Sequence, residues 1–359
     1  MDTREQILRL LKQKAASGAD LARRLQISRQ AVNTYMRELV LAGRLIKTGS
    51  TRRALYGLAA TRSGMPAYAS YSKICALAGL AEDTVFQEAA RRVHLARSVA
   101  GNVRDILQYG FTEMLNNAIE HSQARSCRIG IRLDSYTCSF SVRDPGIGLF
   151  HSIASKFGLH DENEAVGELL KGKTSTIPER HSGEGIFFTS RAGDTLSLRS
   201  HRIELVFFGQ KQDVVIRQKR FLAGTEVRFQ INRRSRRRLE SIFEQFAPAD
   251  LDYHFDKTRV LVKLFRGEYV SRSEARRMLA GLNKFRIVEL DFRNVMSLGQ
   301  GFADEIFRVY ANAHPQIQIR IVNLAQALKS MLRHVIDNDK IIEADDYLTI
   351  LAGSDNIPL

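Results

Sequence analysis

Glu113 and Asn117 stand four residues apart in the run FTEMLNNAIEHS, Phe111–Ser122, so a helix there puts both on one face, with Asn116 and His121 bordering it. A carboxylate in that position can orient or deprotonate a water beside a terminal phosphate. An amide oxygen is a hard ligand for Mg²⁺, which keeps several waters and bridges substrate phosphates. Glu-x-x-x-Asn alone occurs on many surface helices. Its weight here comes from two glycine motifs downstream, DPGIG at Asp144–Gly148 and HSGEG at His181–Gly185.

Asp144 ends a strand-like run, where its carboxylate could accept a hydrogen bond from the exocyclic amino group of a purine. Gly146 and Gly148 would let the backbone pass close to base and sugar, although an ordinary Asp-Pro-Gly turn accounts for three of these residues by itself. Residues 155–180 are polar, carry Gly158, Gly167 and Gly172, and read as a long loop with Lys171 and Lys173 as mobile positive charge. His181–Gly185 runs into a helical stretch at Ile186–Arg191, so Gly183 and Gly185 would present backbone N–H groups to phosphate.

Cys127–Leu133 and Thr137–Arg143 read as adjacent strands joined around Asp134-Ser135-Tyr136, the second delivering Asp144. Upstream, Val85, Ala89, Val93, Leu95 and Val99 predict one long helix over Glu82–Val103. His94 lies within it, flanked by Val93 and Leu95 and not by the acidic neighbour expected of a phosphoacceptor, so it reads as an ordinary helix histidine.

In this order, Glu113–Asn117, DPGIG, SGEG and Gly224-Thr225 resemble the N-box, the two glycine boxes and the final threonine of the GHKL ATPase family, over roughly residues 80–232. NNAIEHS is most similar to the kinase and anti-sigma branch. The resemblance implies a Bergerat α/β sandwich, a mixed sheet under helices, with ATP and Mg²⁺ as ligands. It implies Glu113 as the water-directing base, Asn117 as the Mg²⁺ ligand and Asp144 as the adenine acceptor, with Thr225 supporting its water network. By the same resemblance Gly146 and Gly148 shape the adenine side, Gly183 and Gly185 cradle phosphates, and His121 touches a phosphate. The 155–180 segment would close over ATP. No receiver domain or histidine box accompanies these motifs, which counts against a sensor kinase. No long transducer domain follows, which counts against strand passage or mismatch repair.

The first 60 residues hold twelve basic residues against four acidic ones, over half of the whole chain's excess of +15. Thr3 is the expected cap of a helix carrying Ile7, Leu8, Leu10 and Leu11. Gly18 and Ala19 open a second helix, Gln26-Ile27-Ser28 makes the turn, and Ser28 caps a third whose inner face is Ala31, Val32, Tyr35, Met36 and Leu39. The outer face shows Arg29, Gln30, Asn33, Thr34 and Arg37, short polar and arginine side chains suited to the major groove. Leu45–Lys47 and Ala54–Leu58 predict a two-stranded wing, with Lys47, Arg52 and Arg53 placed for phosphates or the minor groove. The segment resembles the winged helix-turn-helix domains of bacterial regulators; the same three-helix fold also serves as a protein-docking module.

Asn232–Arg238 packs five arginines into seven positions. Phosphate contact, a solvated linker and an acidic partner surface all suit such a run. Beyond it, strands at Arg259–Phe265, Phe285–Phe292 and Ile317–Val322 alternate with helices at Ser271–Leu282, Gly301–Asn312 and Ala325–Val335. This small α/β domain resembles, particularly at Ser297–Val309, the STAS-like domains that follow GHKL ATPases in small bacterial regulators. The phosphorylated serine of the broader STAS class has no match at the start of the helix, where Gln300 and Gly301 stand; Ser297 lies a few residues early. Asp304 and Glu305 are either docking residues or a solvated helix face.

The fold class expected is therefore multidomain α/β: a winged helix-turn-helix over 1–60, a linker at 61–80, a GHKL domain over 81–232, a basic linker at 233–250 and a STAS-like domain over 251–345. Cys75, Cys127 and Cys138 are scattered, with no zinc spacing, and fit buried small side chains in a reducing, cytoplasmic setting. The start MDTREQ makes no signal peptide, and no apolar run is long enough to span a membrane. The function expected is an ATP-responsive, homodimeric regulator of double-stranded DNA with weak ATPase activity. The alternatives are an anti-sigma-type serine kinase acting on a STAS-domain partner, and an ATP-gated protein-interaction scaffold.

Overall fold

The computed structural model describes residues 2–41, 44–48, 54–58, 69–134, 136–172, 184–209, 212–246, 255–264, 269–335, 341–344 and 347–350. They fall into two compact units, Met1–Leu149 with Thr189–Leu239, and Phe150–Phe188 with Glu240–Leu359.

In the first unit, helix α1 (Thr3–Gln13) is capped by Asp2, one residue before the expected Thr3. Its carboxylate accepts from the Arg4 amide and adds the negative charge that a helix N-terminus favours. A short strand β1 (Ala16–Ser17) leads into α2 (Gly18–Leu25), where Ser17 and Asp20 form a capping box. Gln26 turns the chain in the left-handed region, and Ser28 Oγ accepts from the Ala31 amide at 3.1 Å to start α3 (Arg29–Leu41). Ile7, Leu8, Leu11, Leu21, Val32, Met36 and Leu39 bury against one another, which fixes the opposite face of α3 outward. The expected hairpin forms as β2 (Leu45–Thr48) and β3 (Leu55–Leu58), and β1 adds a third strand to it.

Strand β4 (Ala69–Ala76) emerges inside the stretch expected as linker. As an edge strand with one mostly exposed face it lacks the apolar density that marks a buried strand. Helices α4 (Glu82–Arg92), α5 (Leu95–Ser98) and α6 (Gly101–His121) follow. The single helix expected over Glu82–Val103 is thus broken. His94 stands in the left-handed region at φ 51°, exposed, while Val93 and Leu95 on either side are both buried.

Next come β5 (Ser126–Leu133), β6 (Thr137–Asp144), α7 (Leu149–Phe157), α8 (Glu162–Lys171), α9 (Gly185–Ala192), β7 (Thr195–Ser200), β8 (Ile203–Phe208), β9 (Asp213–Gln218) and β10 (Thr225–Asn232). Seven strands make one sheet in the order β4-β5-β6-β10-β7-β8-β9. Every pairing in it is antiparallel, where a mixed sheet was expected. Hairpin connections join three of the six neighbouring pairs, β5-β6, β7-β8 and β8-β9, and these require antiparallel pairing. On the face under α6, Phe140 stacks on Phe229 with centroids 4.9 Å apart and meets Phe111 of α6 edge-on at 5.7 Å. Cys75, Cys127 and Cys138 are buried free thiols, and burial pushes Cys127 and Cys138 up to about 12, where they stay protonated.

The arginine run is divided. Arg233 donates to the carbonyls of Ser98 and Asp134, and Arg237 donates to the Ala192 carbonyl and pairs with Asp194 at 2.8 Å. Arg234, Arg236 and Arg238 are exposed.

The second unit begins with α7 and α8, so the long loop expected over 155–180 is largely helical. Asp161 caps α8 by accepting the Asn163 and Glu164 amides, and Ala165, Val166 and Leu169 form its buried stripe. Helix α8 packs on β11 (Lys257–Leu261). After α10 (Leu239–Phe246), the domain runs β11, α11 (Arg272–Leu279), β12 (Ile287–Asp291), α12 (Gln300–Asp304), α13 (Ala311–Ala313), β13 (Gln318–Val322), α14 (Gln326–Val335), β14 (Ile341–Ala344) and β15 (Tyr347–Ile350). The capping box expected at Ser271 and Glu274 is present. Strands β11, β12 and β13 are parallel, and the β14–β15 hairpin joins β13 antiparallel, giving the order β11-β12-β13-β15-β14. The helix expected over Gly301–Asn312 loosens to a π-helix at Glu305–Tyr310 between α12 and α13.

Candidate functional site

Three cross-strand rows lie side by side on the covered face of the large sheet. Phe140, Phe229 and Leu196 form one, and Val142, Val227 and Leu198 the next. The third is polar: Asp144, Thr225 and Ser200. The apolar core of the sheet therefore ends in a carboxyl and two hydroxyls, abreast on β6, β10 and β7.

Glycines roof this row. A Cβ on Gly146 would sit 1.9 Å from the Ser122 carbonyl oxygen, and one on Gly224, at φ +75°, would sit 2.1 Å from that of Asp144. Gly148, at φ +88°, faces Ser200 Oγ and His201 Nε2, which lie 2.7 and 2.8 Å from where its Cβ would be. The Ile147 amide donates to the Ser122 carbonyl at 2.9 Å, which ties the Asp144–Gly148 turn to the C-terminus of α6. The end of α6, the glycine turn and the start of β10 thus meet at one point.

Asp144 is buried, and burial holds its carboxyl above the ordinary carboxylate range, with the Gly146 and Thr225 amides offsetting part of the rise. Its Oδ1 accepts the Gly146 amide at 2.9 Å. Thr225 Oγ1 accepts the Leu149 amide at 2.9 Å. Ser200 is fully buried, and among the described residues its Oγ has no hydrogen-bond partner. Leaving a buried hydroxyl unmet costs about 1–3 kcal/mol.

Glu113, Asn116, Asn117 and His121 all lie on α6 and are part-buried, with His121 as its last residue. Gly185 opens α9. Lys173 and Gly183 lie outside the described residues. Lys171 is not a mobile charge. It ends α8 with its side chain 1% exposed, pairs with Glu168 at 2.5 Å and donates to the carbonyls of Ala280 and Arg277 at 2.7 and 3.4 Å. Thr258 Oγ1 donates to the Lys171 carbonyl. Burial inside the second unit, among backbone acceptors, is what a charge count along the sequence cannot register.

Ser200 went unnoticed in the sequence. The available signal was phase: in LSLRS, Ser200 occupies the alternation position of Leu196 and Leu198, where an apolar residue is due. Thr225 and Asp144 break phase in the same way.

On α3, Arg29, Gln30, Asn33, Thr34 and Arg37 are exposed together. Lys47 is exposed, its ammonium 5.9 Å above the Tyr56 ring, while Arg52 and Arg53 lie outside the described residues. In the second unit Ser297 is exposed beside Met296, itself 83% exposed. Asp304 and Glu305 are not open docking groups: Asp304 pairs with Arg272 and Arg308, and buried Glu305 pairs with Arg276 at 2.8 Å.

Residues 3–53 match the family model of an HTH domain, and residues 274–329 that of a STAS-like domain of unknown function. A search of the curated proteins returns no match to the chain. The chain thus carries a helix-turn-helix domain and a STAS-like domain, a pairing consistent with a regulator that binds DNA or a protein partner. Among the described residues no helix is long and apolar enough to cross a membrane.

Proposed function

We propose that residues 81–232 bind ATP and Mg²⁺ as a GHKL-type domain, and that occupancy there regulates double-stranded DNA binding by the N-terminal domain. The observation that carries this reading is the Asp144–Thr225–Ser200 row under Gly146, Gly148 and Gly224. A carboxyl beside a glycine turn, at the polar end of an otherwise apolar sheet face, suits the amino group of a purine.

Asp144 would accept the exocyclic amine of adenine, with Thr225 holding the turn around it. Asn117, with Asn116 adjoining, would ligate Mg²⁺, and Glu113 would orient a water for slow hydrolysis. His121, at the end of α6, would meet phosphate charge. Bound Mg-ATP supplies a triphosphate whose presence or loss these groups can sense. A homodimer presenting two copies of α3 would read two half-sites. Linkage between the two sites requires that Mg-ATP change DNA affinity. Duplex titrations with and without Mg-ATP test it: Asn117→Ala is expected to abolish the difference, and equal affinities in the wild type would end the coupling idea.

The exposure of Ser297 in the STAS-like domain favours a second reading, a serine kinase acting on a partner's STAS domain or on its own. Labelled ATP separates the two, since stable label on protein supports the kinase and free phosphate alone an ATPase. Failure to hold any duplex at low salt would point instead to an ATP-gated scaffold with a protein partner.

A further inference from the structure

We propose that the open face of the seven-stranded sheet, at the end where its covered face carries Asp144, binds single-stranded DNA. The inference is independent of the nucleotide reading above, because it uses the opposite face of the same strands.

Successive residues of a strand point to opposite faces. Arg143, Glu226 and Arg199 are the chain neighbours of Asp144, Thr225 and Ser200, so they occupy the face turned away from that row. The register extends them into one rung across six strands: Arg128, Arg143, Glu226, Arg199, Glu204 and Arg217. Arg128 and Arg143 stand directly opposite each other and both are exposed. Among the described residues neither makes an ion pair or a side-chain hydrogen bond. Like charges so placed repel. The two acids of the rung are engaged elsewhere: Glu226 pairs with Arg228 at 2.6 Å, and Glu204 with Lys219 at 3.2 Å and Arg217 at 3.5 Å. A phosphodiester lying across the two guanidiniums would offset their repulsion.

The loops at the same end of the sheet add charge and an aromatic ring. Arg202, Lys219 and Arg220 are exposed, so rung and loops together hold seven basic residues against two acidic ones. The loop before β10 is held in place. The Lys219 and Leu222 amides donate to the carbonyls of Arg202 and His201 at 2.7 and 3.0 Å, and Arg199 Nη2 donates to the Arg220 carbonyl at 2.8 Å. Phe221 stacks on His201, with centroids 5.1 Å apart and planes 23° from parallel, and is still 59% exposed.

A cationic track beside an exposed ring suits a single strand, whose phosphates meet arginine while an unpaired base extends the stack. A duplex keeps its base faces covered and has nothing to lay on such a ring. The helix-turn-helix domain of the same chain makes DNA, not RNA, the strand at hand.

Fluorescence anisotropy of the full chain tests this with a labelled oligo(dT) of about 15 nucleotides, and with an oligo(rU) and a blunt duplex of the same length, over a salt series. Wild type is expected to bind oligo(dT), and oligo(rU) no more tightly. Phe221→Ala is expected to weaken oligo(dT) about tenfold and the duplex by less than about twofold. Arg128→Ala combined with Arg143→Ala should reduce the salt slope for oligo(dT) by about 0.7 per residue. Arg37→Ala, on α3, should leave oligo(dT) affinity within about twofold. All three substituted patch residues are exposed, so melting temperatures should match wild type. Failure of wild type to bind oligo(dT) overturns the proposal, as does unchanged oligo(dT) affinity in both Phe221→Ala and the arginine pair. Equal losses for duplex and oligo(dT) in Phe221→Ala would reassign the surface to duplex phosphate, and tighter oligo(rU) binding would reassign it to RNA; either result overturns it as stated. Mg-ATP binding bears on none of these outcomes.

Discussion

Thr225 Oγ1 accepts the Leu149 amide at 2.9 Å, so the first residue of β10 fixes the first residue of the helix that follows the Asp144–Gly148 turn. Gly224, just before it, lies against the Asp144 carbonyl too closely for any side chain. The turn is therefore held from two directions, by Ser122 at the end of α6 and by Gly224-Thr225 at the start of β10.

Gly224→Ala should cost about 2 kcal/mol or more, since alanine would be strained at φ +75° and would also crowd the Asp144 carbonyl. Urea titration of the melting unit that contains the sheet measures this. An unchanged midpoint would mean that the turn relaxes freely and does not define a cradle.

Asp144 should leave a signature in the pH dependence of stability. Its folded carboxyl sits above the ordinary range, so the folded chain holds this proton more tightly than the unfolded chain. Stability from this residue is greatest below the ordinary carboxylate value and declines as pH rises through the raised one. The stability of wild type minus that of Asp144→Asn should accordingly shrink as pH rises above the ordinary carboxylate value of about 4. A pH-independent difference in denaturation midpoints would contradict the buried placement.

Lys171→Met should lower stability by about 3 kcal/mol, because it removes a buried ammonium's pairing with Glu168 and its donation to two carbonyls. Mg-ATP affinity should stay within about twofold, since the lost interactions are internal to α8 and the C-terminal fold. A large affinity loss with little change in melting would restore Lys171 to the phosphate.

Arg37→Ala and Lys47→Ala should both weaken duplex binding. If each removes one phosphate contact, the slope of log affinity against log salt falls by about one per substitution. Fluorescence anisotropy across a salt series reads both slopes. Wild-type binding without salt dependence would assign the exposed face of α3 to a protein partner.

Where one strong local signal decided the outcome, the sequence was readable. Ser28 before an amphipathic run located α3, Ser271 with Glu274 located α11, and the alternation in TLSLRS and TEVRFQIN agrees with their strands. Errors came where two signals competed. Gly158, Gly167 and Gly172 masked the Ala165, Val166 and Leu169 stripe of α8, and the apolar pattern continued through His94 although the backbone did not. Arg233 and Arg237 looked like their exposed neighbours until the carbonyls that receive them were in place. Whether a charge faces water or a carbonyl is decided by tertiary structure, so residue type alone left Lys171, Glu305 and two of the five arginines unresolved.

The polypeptide passes from the sheet body to the C-terminal body after Leu149, returns at Thr189 and leaves again after Leu239. A truncation at that last crossing would keep residues 150–188 but strip them of β11 and of the backbone acceptors that receive Lys171. A fragment starting there would lack its own leading helices. Deletion phenotypes for the STAS-like region would for this reason report on the stretch between the two glycine motifs as well, and point substitutions, not excisions, are the means to assign roles to each end of this chain.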